Sequence, residues 1–98
     1  MNIIGMSDKA IIKEIGRRVK RKRLEGNFTQ QETADLAGIS RPTVSDLERG
    51  NPFGILTLIQ ILRALNALDE IDSFLPDPGI SPLQLAMMRG KERQRASS

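Results

Sequence analysis

The strongest local signals in this chain define where two short helices begin and end. Thr29 followed three residues later by Glu32 forms a capping box, in which each side chain binds a backbone N–H at the helix start. Gly38 readily closes a helix, and Ser40 can cap a second one that tolerates Pro42 in its first turn. The sequence therefore predicts helices at roughly 30–37 and 41–48, joined by a tight turn.

Helices this short need other helices to pack against. Their apolar residues are spaced to face such neighbours, namely Ala34, Ala37, Ile39, Val44 and Leu47. The same spacing leaves a polar set outside, namely Arg41, Thr43, Ser45, Asp46 and Arg49. Two packed helices that present such a face are the pattern of a DNA-binding helix-turn-helix.

The rest of the pattern predicts an all-α domain of five helices. Ser7 or Asp8 can cap a first helix that runs to about Leu24, and Pro76 ends a short fifth helix. Between them lies an apolar fourth helix, interpreted as the central core helix, which carries Ile55, Leu58, Ile59, Ile61, Leu62, Leu65 and Leu68. The predicted organisation is an N-terminal arm (1–7), the helical domain (8–75), and a Pro-containing linker with a basic C-terminal tail (76–98).

The composition of the chain argues against several classes of function. The 98 residues include no Cys and no His, so the commonest metal ligands and general base are absent and we expect neither a metal nor a cofactor. No phosphate loop, HExxH pattern or nucleophile elbow occurs, which argues against an enzyme. Without an apolar run of membrane length or a signal sequence, the expected location is the cytoplasm.

The positive charge is clustered. Six of the seven residues 17–23 are basic, and a second basic cluster lies at Arg89, Lys91, Arg93 and Arg95. Such clusters attract polyphosphates through counterion release. A solvated helix face with a solubilising tail is the structural alternative.

Residues 9–75 resemble the Cro/repressor (Xre) class of helix-turn-helix domains. The resemblance rests on Gln30, on the turn Gly38-Ile39-Ser40 after Ala34, on Val44, and on Leu47-Glu48-Arg49-Gly50. It implies a lambda-repressor-like five-helix bundle whose third helix enters the major groove of double-stranded DNA, usually as a homodimer on a pseudo-palindromic operator.

The resemblance also implies residue roles. Gln30 would hold a phosphate, while Arg41, Thr43 and Asp46 would face base edges or phosphates. The remaining candidates for DNA contact are Ser40, Pro42, Ser45, Arg49, Asn51, Arg17 and Arg18.

Several of these residues have structural alternatives. By the family pattern, Arg23 pairs with Glu48 in a partly buried ion pair. Ser40 is better suited to capping than to base contact. Arg41 is the best candidate for base readout, although a phosphate contact is an alternative. Asp46 can accept from cytosine N4 or can instead restrain Arg49 or Arg41.

Three residues depart from the family pattern. Thr33 stands where leucine is usual, which predicts looser packing in the second helix. Gly54 replaces a common serine cap at small cost. Leu56 replaces an acidic residue and suggests a protein contact. The full set of dimer or partner candidates is Leu56, Ile71, Phe74, Leu83 and Leu85.

The C-terminal tail resembles that of HipB-like antitoxins, in Ser81-Pro82-Leu83-Gln84-Leu85 and again at 90–97. That resemblance implies autorepression of an operon and binding of a HipA-type kinase toxin. The alternatives are a stand-alone, phage-type or restriction-controller repressor, or a protein-binding module on the same scaffold.

Overall fold

The computed structural model describes residues 3–76, and these residues form five helices without any strand. The helices are α1 (Asp8–Glu25), α2 (Gln30–Ala37), α3 (Arg41–Glu48), α4 (Ile55–Ala64) and α5 (Glu70–Phe74). The prediction of an all-α, five-helix fold is therefore confirmed. The C-terminal tail, with Leu83 and Leu85, lies outside the described residues.

The first three helices begin at side-chain caps. The Ser7 hydroxyl accepts a hydrogen bond from the backbone N–H of Ala10. Thr29 and Glu32 form the complete capping box at the start of α2. Ser40 accepts from the backbone N–H of Thr43 at the start of α3. Each cap satisfies donors that the first helical turn leaves without a partner.

The first four helices end in the same way, with one residue of positive φ and two crossing backbone hydrogen bonds, the Schellman motif. The residues of positive φ are Asn27, Gly38, Gly50 and Asn66. After α4, the Ala67 N–H bonds to the Leu62 carbonyl at 2.8 Å and the Asn66 N–H to the Arg63 carbonyl at 3.2 Å.

This ending corrects the expected length of the fourth helix. The apolar pattern continues to Leu68, but α4 ends at Ala64 because Asn66 takes up the left-handed conformation. Leu65 and Ala67 are nevertheless buried, since the chain continues along the core after the helix has ended. The apolar pattern thus marks the buried Ile61, Leu62 and Leu65 correctly but overstates the helix. It is also wrong for Ile55, which lies in the first turn of α4 and is exposed.

The core lies where α2 packs against α3 and α4 and where α1 meets α3. It consists of Val19, Ala34, Val44, Leu47, Ile61, Leu62, Leu65 and Ala67. No residue of α5 is buried, although Ile71 packs against the edge of the core. The two predicted helices α2 and α3 are therefore held by their neighbours as their short lengths require.

Thr33 does not loosen α2, contrary to the expectation from the family pattern. The residue is completely buried, and its hydroxyl donates to the Thr29 carbonyl at 2.9 Å. Because that hydrogen bond satisfies the buried hydroxyl, the polar side chain fits without the penalty of an unpaired group.

Candidate nucleic-acid interface

The polar face of α3 begins at an exposed arginine. Arg41 is the first residue of the helix and Pro42 the second, and both are exposed. Arg41 forms no ion pair with any described residue. Its guanidinium is therefore available to an external acceptor, and guanine O6 and N7 match its paired donors.

Ser40 and Thr43 are engaged with each other. Their hydroxyl oxygens lie 2.8 Å apart, and Ser40 also accepts the Thr43 backbone N–H at 3.3 Å. Ser40 is thus used for capping, whereas Thr43, which is half-buried, keeps its methyl group and two further hydrogen-bonding positions of its hydroxyl for a ligand.

Asp46 and Arg49 form an ion pair at the other end of α3. Both side chains are at least half exposed, so the pair is solvated and of little value to stability. Ser45 is half-buried and Asn51, beyond the helix, is exposed. The carboxylate of Asp46 therefore restrains Arg49 rather than Arg41, one of the two alternatives left by the sequence.

The opposite face of α3 carries a buried ion pair between Arg23 of α1 and Glu48. Arg23 Nε donates to Glu48 Oε2 at 2.6 Å and Nη2 donates to Oε1 at 2.9 Å. The two side chains are only 8% and 2% exposed, and Arg23 Nη1 also donates to the Phe28 carbonyl at 2.8 Å. This bidentate geometry fixes the orientation of α3 relative to α1.

Gln30 joins the same network from the start of α2. Its Nε2 donates to Glu48 Oε1 at 3.2 Å, and the residue is half-buried. One carboxylate therefore links α1, α2 and α3. Gln30 retains an amide oxygen and a second N–H for other contacts.

Most of the basic run at 17–23 is neutralised within the fold. Five of its six basic residues form ion pairs, which are Arg17 and Arg18 with Glu14, Arg21 with Glu25, Lys22 with Glu70, and Arg23 with Glu48. Only Lys20 of the six has no ion pair with the described residues. The run is therefore a much weaker source of free positive charge than its sequence suggests.

Glu14 holds the two arginines proposed from sequence as DNA contacts. Its oxygen Oε2 lies 2.7 Å from Arg17 Nη2 and 3.0 Å from Arg18 Nε. Glu14 is 7% exposed, while both arginine side chains are about half exposed. Among residues 3–76, no hydrogen bond or ion pair connects Arg17 or Arg18 to α3.

The hydrogen bonds from Arg17 lower the pKa of Glu14 from 4.5 to about 2, aided by Arg18 and opposed by desolvation. Because the folded pKa is depressed, the contribution of Glu14 to stability is complete above pH 4.5 and is lost as the pH falls through about 2.

The variant Glu14→Gln lacks this titrating carboxylate. We expect its free energy of unfolding to fall less than that of the unsubstituted protein when the pH is lowered across this range. Urea unfolding at a series of pH values measures the effect, with Glu25→Gln as the control for removing one carboxylate. Parallel curves for all three proteins would contradict the assignment.

Glu14 and Gly16 are the important residues that the sequence analysis missed. Glu14 stands three and four residues before two arginines, a spacing that favours ion pairs on a helix. Gly16 is an isolated glycine within a helical pattern, which signals a close approach of another element. A Cβ at Gly16 would lie 2.3 Å from the Leu47 carbonyl oxygen, so α1 contacts the end of α3 directly through its backbone.

The candidate contact surfaces for protein partners lie elsewhere. Leu56 and Phe74 are exposed by 65% and 62%, whereas Ile71 is half-buried. Leu83 and Leu85 lie outside the described residues. Within residues 3–76, no helix combines the length and hydrophobicity that crossing a membrane requires.

Comparison with known proteins identifies one family. A family model described as helix-turn-helix matches residues 19–71, which are 53 of the 98 residues. The match begins within α1, includes all of α2, α3 and α4, and ends in α5. No curated protein matches the chain.

Proposed function

Because the chain belongs to the helix-turn-helix family of DNA-binding transcription regulators, we propose that it is a sequence-specific repressor that places α3 in the major groove of its operator. The observation that carries this proposal is the division of α3 into two faces. One face is anchored by the buried Arg23–Glu48 pair, and the other presents Arg41 without an internal ion pair.

We assign base recognition to the first half of α3. Arg41 can bond bidentately to guanine, and the Thr43 methyl group can contact a thymine methyl. Asp46 tethers Arg49, so that the pair acts together at the distal end of the helix. We assign Pro42 and Ser45 to van der Waals contact with the DNA rather than to hydrogen bonds with base edges.

Phosphate contacts position the domain without reading sequence. We assign them to Gln30, Arg49 and Asn51, which flank α3 or begin α2. The free N–H groups at the start of α2 add a favourable site for a phosphate. Arg17 and Arg18 are weaker candidates because Glu14 already neutralises part of their charge.

Arg41→Ala tests base recognition. We expect its affinity for the protein's own upstream DNA to fall about 5- to 150-fold, the equivalent of about 1–3 kcal/mol for a lost bidentate contact. Binding to scrambled DNA should change much less. The measurement is a fluorescence-anisotropy titration at several salt concentrations, since phosphate contacts make affinity fall as salt rises.

Arg63→Ala is the matched control, because Arg63 is an exposed arginine of α4 that has no ion pair with the described residues. It should bind both DNAs like the unsubstituted protein. Equal weak binding to upstream and scrambled DNA, unaffected by Arg41→Ala, would overturn operator recognition and favour a protein-binding module on this scaffold.

We further propose that the repressor acts as a homodimer, since one α3 covers only one half-site of a pseudo-palindromic operator. The support is exposed apolar surface near the start of α4 and the end of α5. Leu56 and Phe74 are the most useful members of this surface, because each is more than half exposed.

Leu56→Glu tests self-association with little risk to the fold. An acidic residue in the first turn of α4 interacts favourably with the helix dipole, so the variant should unfold like the unsubstituted protein. We expect a weaker dimer by sedimentation velocity and weaker operator binding together. Leu36→Glu on α2, where the leucine is similarly exposed, is the control. An unchanged sedimentation profile for Leu56→Glu would exclude Leu56 from the interface.

A second candidate function is that of an antitoxin that represses the operon of a HipA-type kinase. Its support is the sequence of the tail, which lies outside the described residues. Co-expression with a kinase encoded beside this chain tests it: a stable complex and loss of toxicity are expected. Repression of the operon without any such complex would leave the stand-alone repressor.

A further inference from the structure

A groove of about 460 Å³ lies between α1, α4 and α5, away from the polar face of α3. Its apolar wall comes from all three helices, through Ile15, Val19, Leu58, Leu62 and Ile71. Phe74 lies at its edge and is 62% exposed. An open apolar groove of this size favours an apolar occupant.

The charged residues at the rim of the groove are already paired. Arg18 binds Glu14, Arg21 binds Glu25, and Lys22 bridges to Glu70 of α5 at 2.7 Å. The bridge to Glu70 raises the pKa of Lys22 and helps to hold α5 beside α1. With its rim charges satisfied in this way, the groove favours an occupant that carries no charge.

The chain itself supplies such a segment shortly after α5, which ends at Phe74. Residues 79–88 contain no charged residue, in a protein in which 28% of residues are charged. They carry apolar side chains at Ile80, Leu83, Leu85, Met87 and Met88. The charged residues Asp77 and Arg89 flank this uncharged segment on its two sides.

We propose that residues 79–88 dock into this groove of the same chain. Phe74 lines the groove, and the first residue of the segment, Gly79, follows Phe74 by five residues. Because five residues can span at most about 17 Å, the segment starts within reach of the groove. A short tether also gives the segment an effective concentration in the millimolar range.

This inference goes beyond the proposed repressor function and does not depend on it. It assigns Leu83, Leu85 and the groove-lining Phe74 to contacts within one chain rather than with a second copy. Leu56 and Leu75 are not among the residues that line the groove, and both are exposed. They therefore stay available for self-association while the segment is docked.

Disulfide trapping tests the docking in the full chain, which contains no native cysteine to compete. The test variant carries Arg21→Cys at the groove and Gln84→Cys in the segment. The control variant carries Asp35→Cys on α2, which contributes no residue to the groove, with the same Gln84→Cys. Arg21 and Asp35 are both exposed, so their replacement preserves the core.

We expect the groove pair to form a disulfide within one chain at least about tenfold faster than the control pair. Adding Leu85→Asp to the groove pair should reduce its rate to that of the control, because a charge then opposes docking. Equal rates for the two pairs would overturn the proposal. Formation of linked dimers rather than linked monomers at low protein concentration would also overturn it, by showing that the segment of a second copy fills the groove.

Discussion

Glu48→Ala should destabilise the protein by about 3–5 kcal/mol, a large share of the stability of a small domain. The substitution leaves the Arg23 guanidinium buried and without its carboxylate, and it also removes the acceptor used by Gln30. Removing one partner of a buried pair costs more than the pair contributes, because the remaining charge stays desolvated. Urea unfolding followed by far-UV circular dichroism measures the change, since the chain has no Trp or Tyr.

Asp46→Ala provides the comparison within the same helix. It breaks an ion pair whose two side chains are at least half exposed, so we expect a loss of less than about 1 kcal/mol. The difference between the two variants reports the burial of the pair together with the loss of the acceptor for Gln30. A loss of similar size for both would show that the Arg23–Glu48 pair does not anchor α3.

Gly16→Ala is expected to destabilise the protein by about 1–3 kcal/mol, although alanine is normally the better helix former. The new Cβ would lie 2.3 Å from the Leu47 carbonyl oxygen and 3.0 Å from that of Glu48. Both contacts are with backbone, which cannot rotate away as a side chain can. The two helices must therefore separate, and this movement strains the neighbouring Arg23–Glu48 pair.

Gly5→Ala is the matched control, because a Cβ at that position meets no atom within 4 Å. We expect its free energy of unfolding to change by less than about 0.5 kcal/mol. Both variants are compared by urea unfolding under the same conditions. A Gly16→Ala protein as stable as the unsubstituted one would mean that α1 and α3 are not in close backbone contact.

The helix starts could be predicted from the sequence because capping is local. Ser7, Thr29 and Ser40 each bind a backbone group only three residues away. The end of α4 could not be predicted in the same way. Its apolar spacing reports burial, and burial continues beyond Ala64, whereas the helix stops where Asn66 changes its backbone conformation.

At the candidate interface, too, local sequence signals predict only part of the arrangement. The exposed position of Arg41 at the start of α3 follows from local spacing and capping. The ion pairing of the basic residues 17–23 does not follow from local signals, because their acidic partners come from both near and distant positions. Glu14 and Glu25 lie on the same helix, but Glu48 and Glu70 reach α1 only through the tertiary fold.

The two faces of α3 have a consequence for how this protein can evolve. Val44, Leu47 and Glu48 are buried and attach the helix, whereas Arg41 is exposed and Asp46 is half-buried and pairs only with a solvated arginine. A substitution at either outer position leaves the anchoring contacts intact. Natural variation or design can therefore retarget the helix to a different ligand surface through few substitutions, without first acquiring compensatory changes in the core.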